Sequence, residues 1–394
     1  MSATHAIQST TAAAPVLYLA FDLGRSSWKL AFTFGLGQQP RIRSMPAGDT
    51  ERLMAEIDVA KRRFALPEET PVVSCYEAGR DGAWLHRFLE HRGVRNIVVD
   101  AASIEINRRK RRAKSDKLDA SKLVSMLIRW HNGEKRVWAV VRIPTVADED
   151  GRQLHRELVE LKTERTAIVN RIKGLLAGLG LTVTIDEELP ERLAGLRQWD
   201  GTGVPPALCR RILREFERWQ LIARQIHDLE AERTQQIRNE QTPQVKQVRR
   251  LLELAGIGEN GSWLLVHEIF GWRQIRNRRE LASLAGLTPT PYSSGDTERE
   301  QGISKAGNRW VRWMMVELAW SWRRHQPRSK LSRWYERRFG RGTSRIRKIG
   351  IVALARKLLI ALWKYLEKGE MPPGAVVVQK PKYRVLKLVR RKAC

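Results

Sequence analysis

Four short apolar runs in the first hundred residues most limit what this chain can fold into. Each has the length and alternation of a β-strand, and the first two are close enough to form a hairpin. The runs occupy residues 16–22, 28–34, 71–76 and 96–100. Helical spacing at residues 50–64 and 83–91 separates the later runs, and another apolar stretch at 137–143 follows them. The pattern predicts a domain in which helices pack on a β-sheet.

Two of the predicted strands end in a carboxylate. Asp22 closes the first run, and Glu77 follows the third. An aspartate at this place is often a turn residue, but strand ends are also where enzymes built on a sheet carry metal ligands. A buried glutamate has to pair, bind metal or take up a proton. Strands followed by alternating helix and strand, with acids at strand ends, predict an RNase H-like α/β fold.

The segment at residues 108–119, RRKRRAKSDKLD, places two carboxylates inside a run of positive charge. Asp116 and Asp119 share one face of a helix predicted to reach about His131, so both can bind one hard cation. The other interpretation is an ordinary solvated helix that Ser115 caps. The basic side chains would draw a polyanion toward the cation. They are Arg108, Arg109, Lys110, Arg111, Arg112, Lys114 and Lys117.

Four carboxylates are thus predicted to converge, from Asp22, Glu77, Asp116 and Asp119. Such a set can hold two divalent ions about 3.5–4 Å apart, one at the attacking oxygen of a phosphodiester reaction and one at the leaving oxygen. The expected cofactor is Mg²⁺ as two ions, with Mn²⁺ as a substitute.

The charge of the chain predicts a polyanionic partner. A formal net charge of +29 and an isoelectric point near 10.8 indicate nucleic acid more than an anionic membrane surface. No apolar run reaches the roughly 18 residues that span a bilayer, so we expect a cytoplasmic, nucleoid-associated protein and no membrane partner. The three cysteines form no CxxC pair and the eight histidines no HExxH motif, which argues against zinc chemistry.

Two long helices are predicted within residues 146–242. Apolar residues recur there at spacings of three and four, which is a heptad seam and predicts an antiparallel coiled coil. Whether the seam closes within one chain or between chains is left open by the pattern. The seam residues are Leu154, Leu158, Leu161, Ile168, Ile172, Leu175 and Leu179, then Ile212, Phe216, Trp219, Ile222, Ile226 and Leu229.

A tight turn at residues 256–258 separates two predicted helices, as in a helix-hairpin-helix. Such turns present backbone N–H groups to phosphate, so Gly256 and Gly258 are candidate nucleic-acid-binding residues. Residues 281–308 follow, and their prolines and glycines predict a long functional loop. In it, Lys305 and Asn308 are candidate donors to phosphate.

The C-terminal third is predicted to be mostly helical. A helix at 311–322 carries tryptophans on several faces, which either pack in the core or stack on bases. A basic loop at 337–348 precedes an amphipathic helix at 349–366. That loop and a basic tail at 380–392 are predicted to clamp a nucleic-acid backbone.

Several motifs together resemble the DEDD transposase family of bacterial insertion sequences, family one-ten with its one-one-one-one branch, which is related to Piv-type DNA invertases. They are FDLG around Asp22, YEAG around Glu77, KSDKLDA around Asp116 and Asp119, AGLTPTPYSSG, and GISKAGN. The likeness spans about residues 16–373. It departs from the family after Glu77, where Ala-Gly-Arg-Asp stands in place of Ala-Thr-Gly.

This resemblance implies a RuvC-like catalytic domain, a coiled-coil insertion and a C-terminal transposase domain with a nucleophilic serine. By motif match that serine is Ser294, with Ser293 as a neighbouring hydroxyl. In the family the acids bind magnesium and the serine joins covalently to a DNA strand end, so the resemblance implies a recombinase acting on double-stranded DNA. It also implies a bridge RNA that chooses the DNA, and assembly as a dimer or tetramer.

The predicted domain boundaries follow from these patterns. Residues 1–14 are expected to be disordered, 15–145 to form the catalytic domain, 146–242 the coiled-coil helices, 243–373 the transposase domain and 374–394 a basic tail. Two other functions stay open. One is a RuvC-like metal-dependent junction nuclease that needs no serine, and the other is a non-catalytic nucleic-acid-binding scaffold.

Overall fold

The computed structural model describes residues 14–79, 83–104, 116–134, 136–294 and 297–378, with the backbone alone at 102, 116–119, 291–294 and 297–301. Almost all of the predicted N-terminal disordered segment and most of the basic tail therefore lie outside the described residues. The chain divides into two compact units, one ending at Pro144 and the other beginning at Thr145.

The first unit is built on a mixed five-stranded sheet. Its strands are β1 (Leu17–Leu23), β2 (Ser27–Thr33), β3 (Arg41–Pro46), β4 (Val72–Glu77) and β5 (Arg95–Val99). They lie in the order β3-β2-β1-β4-β5. β1, β2 and β3 form an antiparallel meander, and β4 and β5 run parallel to β1. The hairpin and the later strands predicted from the apolar runs are confirmed.

Three helices pack on the two faces of this sheet. They are α1 (Thr50–Arg63), α2 (Trp84–His91) and α3 (Asp116–His131). Phe21 and Tyr76 face a core shared with α1 and α2, whereas Ala20 and Cys75 face the core under α3. Alternate residues of a strand point to opposite faces, so each strand contributes to both cores.

Strand β3 is absent from the sequence-based prediction. It carries Arg41 and Arg43 at positions where an alternating strand pattern predicts apolar residues. Both guanidinium groups are accommodated because Glu56 of α1 binds them, at 3.0 and 3.2 Å. The apolar stretch at 137–143 forms no regular strand. Val140 makes only a single bridge to Val99 at the edge of β5.

The second unit begins with helices α4 (Val146–Asp150), α5 (Gln153–Ala177), α6 (Leu189–Gly195) and α7 (Pro206–Asn239). α5 and α7 pack along their apolar seams within one chain. Lys162 binds Glu230 at 2.6 Å and Arg171 binds Glu215 at 2.5 Å, so the two helices run antiparallel.

The rest of the second unit surrounds one large core. Its elements are α8 (Pro243–Leu252), α9 (Glu259–Leu265), a π-helical turn (Val266–Phe270), α10 (Arg278–Leu284), β6 (Pro289–Ser294), β7 (Thr297–Ile303), α11 (Arg309–His325), α12 (Lys330–Phe339) and α13 (Ser344–Lys368). None of the helices in the described part of the chain is long and apolar enough to cross a membrane.

Two predictions for this region are wrong. Residues 281–308 do not form a long loop, because β6 and β7 pair as an antiparallel hairpin inside that range. The prolines misled the prediction, since proline is tolerated on the strands of a small sheet with open edges. The basic loop at 337–348 is also shorter than predicted. α12 extends to Phe339, and α13 begins at Ser344 with Thr343 as its N-cap.

Candidate active site

Asp22 and Glu77 lie side by side at the carboxyl ends of β1 and β4. Phe21 pairs with Tyr76 across these parallel strands, so the next residue of each strand occupies a matching position. Neighbouring strands are about 4.8 Å apart, and residues at matching positions point to the same face. That face is the one on which α3 packs, opposite to Phe21 and Tyr76. We call this pair the acidic edge.

Helix α3 crosses this face antiparallel to β1 and β4. Near its end, Nδ1 of His131 lies 2.9 Å from the hydroxyl of Tyr18, which is at the start of β1. Closer to its beginning, the carbonyl of Leu123 lies 3.9 Å from the thiol of Cys75 in β4. The first turn of α3 therefore extends toward the carboxyl ends of the two strands.

Asp116 and Asp119 begin α3, seven and four residues before Leu123. Four residues of helix advance about 6 Å, and the two residues of strand between Cys75 and Glu77 advance about 6.6 Å. The backbone of Asp119 is thus near the level of Glu77. Spacings of three, four and seven residues also put both aspartates on the helical face that carries Leu123.

The acidic edge has a basic neighbour that sequence reasoning missed. Lys29 of β2 stands directly opposite Asp22 in the antiparallel register. Residues opposite each other in this way share a face of the sheet. A lysine inside the alternating run SWKLAFT was the available signal. The site thus offers a positive charge beside its carboxylates, suited to contact a phosphate.

The donor set suits a hard divalent cation, because carboxylate oxygens are the ligands that Mg²⁺ and Mn²⁺ prefer. Among the side chains that the structure describes, no three of His, Cys, Asp or Glu are grouped so that they could hold a metal ion. The side chains of Asp116 and Asp119 are not among those described. Metal binding by these residues stays a prediction.

Ser294, the candidate nucleophile, is the last residue of β6. It pairs with Thr297, the first residue of β7, so it lies at the tip of this hairpin. The connecting residues 295–296 are outside the described range. We call β6 and β7 together the serine hairpin. Its register places Ser293 opposite Glu298, one position further from the tip.

The root of the serine hairpin is a tightly packed pair of segments, residues 283–288 and 304–308. Three backbone amides hold them together: Ser304 N–H donates to Thr288 at 2.8 Å, Lys305 to Gly286 at 3.2 Å, and Asn308 to Leu284 at 2.7 Å. We call these segments the hairpin root. They contain the AGL and SKAGN sequences on which the family resemblance partly depends.

Glycine is required where the two segments of the hairpin root touch. A Cβ atom on Gly307 would lie 2.6 Å from the Leu284 carbonyl oxygen, and Gly286 has a φ of +65°. Lys305 takes a φ of +55°, a conformation that costs energy for a residue with a Cβ. Its side chain is exposed and its carbonyl accepts a bond from Arg312 at 2.9 Å. The root is therefore a constrained, closely fitted structure.

Asn308 ends the hairpin root and caps α11. Its side-chain oxygen accepts bonds from the N–H groups of Trp310 and Val311, at 2.9 and 3.2 Å. Its side-chain nitrogen donates to Glu268 at 2.6 Å. Both polar atoms of the side chain thus have partners within the chain, and the cap on α11 accounts for an asparagine at this position. Phosphate binding by Asn308 stays a prediction.

Glu268 lies on the π-helical turn and is almost completely buried, with 1% of its surface exposed. Besides Asn308, it accepts bonds from the Arg156 guanidinium at 2.8 and 3.1 Å and from His155 Nε2 at 2.8 Å. Both partners are on the first turn of α5, 113 and 112 residues away. We call Glu268, His155, Arg156 and Asn308 the Glu268 cluster.

Burial and hydrogen bonding set the charges in the Glu268 cluster. Burial raises the pKa of Glu268, but the bonds from His155 and Arg156 outweigh it and lower that pKa to about 2. Burial lowers the pKa of His155, so its imidazole is neutral near pH 7 and donates through Nε2–H. Burial also lowers the pKa of the neighbouring His267, to about 4. The cluster thus contains a carboxylate bound by one full positive charge, from Arg156.

Sequence reasoning missed the Glu268 cluster. The available signal was the charged pair His267-Glu268 within the apolar run WLLVHEIF, at residues 263–270. A charge in such a run must find a partner when the run is buried. The identity of that partner could not be read from the sequence, because it lies on another helix.

The other predicted nucleic-acid contacts are only partly described. Residues 108–114 lie outside the described range, and the Lys117 side chain is not described. The turn at 256–258 joins α8 to α9 and packs on α11, where the Ser321 hydroxyl donates to the Gly256 carbonyl at 2.7 Å. Gly256 has a φ of +88° and Gly258 is the N-cap of α9. Phosphate binding at this turn stays a prediction.

Tryptophans of α11 divide between core and surface. Trp322 is fully buried, whereas Trp313 and Trp320 are 44% and 40% exposed. Arg323 stands over the ring of Trp320 at 5.8 Å. The two exposed indoles are thus the ones that retain a face able to stack on a base.

Comparison with known proteins adds an independent finding. Residues 248–333 match the model of the transposase IS116/IS110/IS902 family. The chain is 38% identical to "Putative transposase y4rJ" of Sinorhizobium fredii, over 92% of this chain and 94% of that one. It is 27% identical to the transposase for insertion sequence element IS1328 of Yersinia enterocolitica, over 55% and 62% of the two chains. It is 30% identical to the transposase for insertion sequence element IS1111A of Coxiella burnetii, over 57% and 61%.

Proposed function

Because the chain belongs to the IS116/IS110/IS902 family of insertion-sequence transposases, we propose that it exchanges DNA strands through a covalent intermediate on Ser294. The family implies DNA cleavage and strand transfer. The observation that carries the mechanism is the acidic edge. Asp22 and Glu77 lie at the carboxyl ends of adjacent parallel strands, on the face where α3, with Asp116 and Asp119, begins. This arrangement also supports the RuvC-like fold proposed for the first unit.

The four acids are the residues that would hold divalent metal. Two sit at the ends of rigid strands and two on the first turn of a helix that packs on the same face, so regular secondary structure presents all four. Bound there, Mg²⁺ or Mn²⁺ would polarise the phosphodiester and lower the pKa of an attacking hydroxyl. Lys29, opposite Asp22, would bind a non-bridging phosphate oxygen.

The serine step conserves the phosphodiester energy. The Ser294 Oγ forms a bond to phosphorus while the bond from phosphorus to one strand end breaks, and that end leaves as a hydroxyl with a proton. The serine proton passes to a base in the site. In the reverse step, a hydroxyl of another strand attacks the phosphoserine, which rejoins DNA and restores the serine. No external energy source is needed.

The proposed partners are double-stranded DNA at the element ends and target, and a bridge RNA. The excess of positive charge supports binding of both. The α5–α7 pair is proposed as a coiled coil that helps the chain assemble as a dimer or tetramer, so that acids and serine of one site come from different protomers. The turn at 256–258 is proposed as a helix-hairpin-helix contact to phosphate.

Two adjacent hydroxyls allow a matched test of the nucleophile. Ser294→Ala removes the proposed nucleophile, and Ser293→Ala is the control with the same change one residue away. Strand exchange would be measured on a plasmid carrying this reading frame with its flanking DNA. Covalent protein–DNA adducts would be counted after denaturation.

We expect Ser294→Ala to abolish both strand exchange and the adduct, at least about 10³-fold, as removal of a nucleophile does. Ser293→Ala is expected to retain both. Complete strand exchange by Ser294→Ala would reject the serine mechanism. Mg²⁺-dependent nicking without an adduct in the wild type would favour a junction nuclease instead.

A further inference from the structure

The proposed reaction requires that a serine at the tip of a two-stranded hairpin be held in one place. An isolated two-stranded hairpin is marginally stable in water. Regular backbone pairing fixes β6 and β7 to each other. Within the part of the hairpin that the structure describes, the hydrogen bonds to the rest of the unit lie at the hairpin root.

We propose that Glu268 is a positioning residue for Ser294: by binding Asn308 and Arg156 together, it fixes the hairpin root to the first turn of α5. The role assigned to Ser294 rests on the proposed function. The mechanical link from Glu268 to the hairpin root does not, since it follows from contacts among described side chains.

The link can be followed bond by bond. On one side, Glu268 is held by Arg156 and His155 of α5. On the other, it accepts from Asn308, whose backbone N–H donates to Leu284 at 2.7 Å. From there the close contact of Gly307 with residues 283–286 and the bond from Ser304 to Thr288 lead directly to the first strand pair, Pro289 with Ile303.

Capping of α11 does not by itself explain Glu268. Asn308 satisfies the first N–H groups of α11 through its oxygen, which leaves its nitrogen free to bind water in the absence of a partner. The structure instead brings a buried carboxylate to that nitrogen at 2.6 Å. The extra contact fixes the direction of the side-chain amide, and with it the orientation of the hairpin root.

Stability alone also explains the cluster poorly. Buried ionic groups often contribute no more stability than well-packed apolar side chains of similar volume. Here Glu268 sits in a π-helical turn, a feature that interrupts regular helices frequently at functional sites. Directional bonds from three side chains on two segments to one carboxylate specify a single arrangement, which apolar packing does less well.

The link between Glu268 and the hairpin root can be tested without measuring the DNA reaction. Glu268→Gln keeps the size of the side chain, and Glu230→Gln is the matched control, because Glu230 is another buried glutamate of the second unit and binds Lys162. Hydrogen exchange of the amides of Ser304, Lys305 and Asn308 would be measured in the full-length chain.

We expect exchange of these three amides to become about tenfold faster or more in Glu268→Gln, because a charged hydrogen bond at the root is lost. In Glu230→Gln they should be unchanged relative to the wild type. Equal exchange in Glu268→Gln and the wild type would overturn the inference, whatever the chemistry of Ser294.

The consequence for the reaction is tested by rate and affinity measured separately. At saturating DNA from the flanks of this reading frame, with RNA transcribed from it, we expect Glu268→Gln to form the Ser294 adduct about tenfold or more slowly, since small displacements of a reacting group are costly. The Kd for DNA should not change. An unchanged rate beside faster amide exchange would reject the positioning role. An adduct that persists in Ser294→Ala would instead reject the proposed function and leave the amide result standing.

Exchanging the donor and the acceptor between Glu268 and Asn308 distinguishes a positioning role from an effect of losing the Glu268 charge. Asn308→Asp keeps a good N-cap for α11 but sets two carboxylates against each other. The double variant Glu268→Gln with Asn308→Asp restores one donor and one acceptor with reversed polarity. We expect it to recover most of the adduct rate that either single variant loses. A double variant as slow as the slower single variant would contradict the inference.

Discussion

The acidic edge and the serine hairpin hold their proposed reactive groups by different means. Asp22 and Glu77 lie at the carboxyl ends of strands in the middle of a five-stranded sheet, where a ladder of backbone bonds and two apolar cores fix them. Ser294 is at the tip of two strands whose position we infer to depend on a small polar cluster at their root. By this inference the acids are positioned by the fold as a whole, and the serine by a few directional bonds.

This difference teaches where remote substitutions should matter. A rigid sheet absorbs the loss of a single contact, because many others keep the strand in place. For the serine hairpin, the described hydrogen bonds to the rest of the unit are few and lie at its root, so the loss of one of them should matter more. Variants at the acidic edge should therefore change chemistry without changing structure, whereas variants in the Glu268 cluster should change both.

The largest expected effect is at the acidic edge. Asp22→Asn should reduce DNA cleavage by about 10³-fold or more, because it removes a proposed metal ligand, and should leave the stability of the first unit nearly unchanged. Cleavage of plasmid DNA with Mg²⁺ and thermal unfolding would measure the two. Asp58→Asn, an exposed aspartate on α1, is the control. Cleavage by Asp22→Asn at the wild-type rate would remove the metal site from the proposed mechanism.

The next effect concerns stability of the second unit. Glu268→Ala should lower the free energy of unfolding by about 2–4 kcal/mol, since it leaves the buried His155 and the partly exposed Arg156 without their acceptor. Denaturant unfolding would measure it. Glu370→Ala, which breaks the exposed pair with Lys364, should leave the free energy of unfolding nearly unchanged. A similar small cost for both variants would mean that the Glu268 cluster does not hold its region.

Acidification should weaken the same region. Burial lowers the pKa of His267 from 6.5 to about 4, so as the pH falls the unfolded chain takes up a proton at this residue before the folded chain does. The free energy of unfolding is therefore unaffected by His267 above about pH 6.5 and falls as the pH drops toward 4. The pKa of Glu268 is lowered from 4.5 to about 2, so its contribution is lost below about pH 4.5. We expect unfolding free energy to fall by about 2–3 kcal/mol between pH 6.5 and 4.

Unfolding curves at pH 6.5, 5.5 and 4 would follow this loss. His267→Gln cannot take up a proton and should reduce the slope of stability against pH over that interval. An equally steep fall in the variant would assign the pH dependence to other groups.

The smallest expected effect is at an ordinary cap of the same unit. The Thr242 hydroxyl caps α8 by accepting from Val245 N–H at 3.3 Å and has no bond to the hairpin root. Thr242→Ala should cost about 1 kcal/mol of stability and leave the adduct rate of the folded protein unchanged. Slower adduct formation in this variant would show that any loss of stability in the unit slows the reaction of Ser294. It would contradict a specific role for the Glu268 cluster.

Much of the first unit could be predicted from local pattern. The run closed by Asp22, the run before Glu77 and the helix after Asp116 appear within a residue or two of their predicted bounds. Apolar periodicity over five to fifteen residues reflects which side of an element is buried, and this information is local. β3 was missed because arginines that pair with Glu56 break the periodicity.

The second unit was predicted less evenly. The seams of α5 and α7 were visible because heptad spacing repeats over many turns. The serine hairpin was taken for a loop, since prolines and glycines are usual in both and the pairing of β6 with β7 is set by register rather than by composition. Its serine acquired meaning only from the family resemblance.

The sequence by itself determined most of the strand and helix segments, the strong positive charge, and the presence of acids and a serine in motifs of a transposase family. Only the tertiary structure decided that Asp22 and Glu77 stand together on the α3 face and that Glu268 joins α5 to the hairpin root. The physical reason is distance along the chain. Periodicity records the burial of neighbouring residues, whereas the partner of a buried charge 113 residues away is chosen by how whole elements pack.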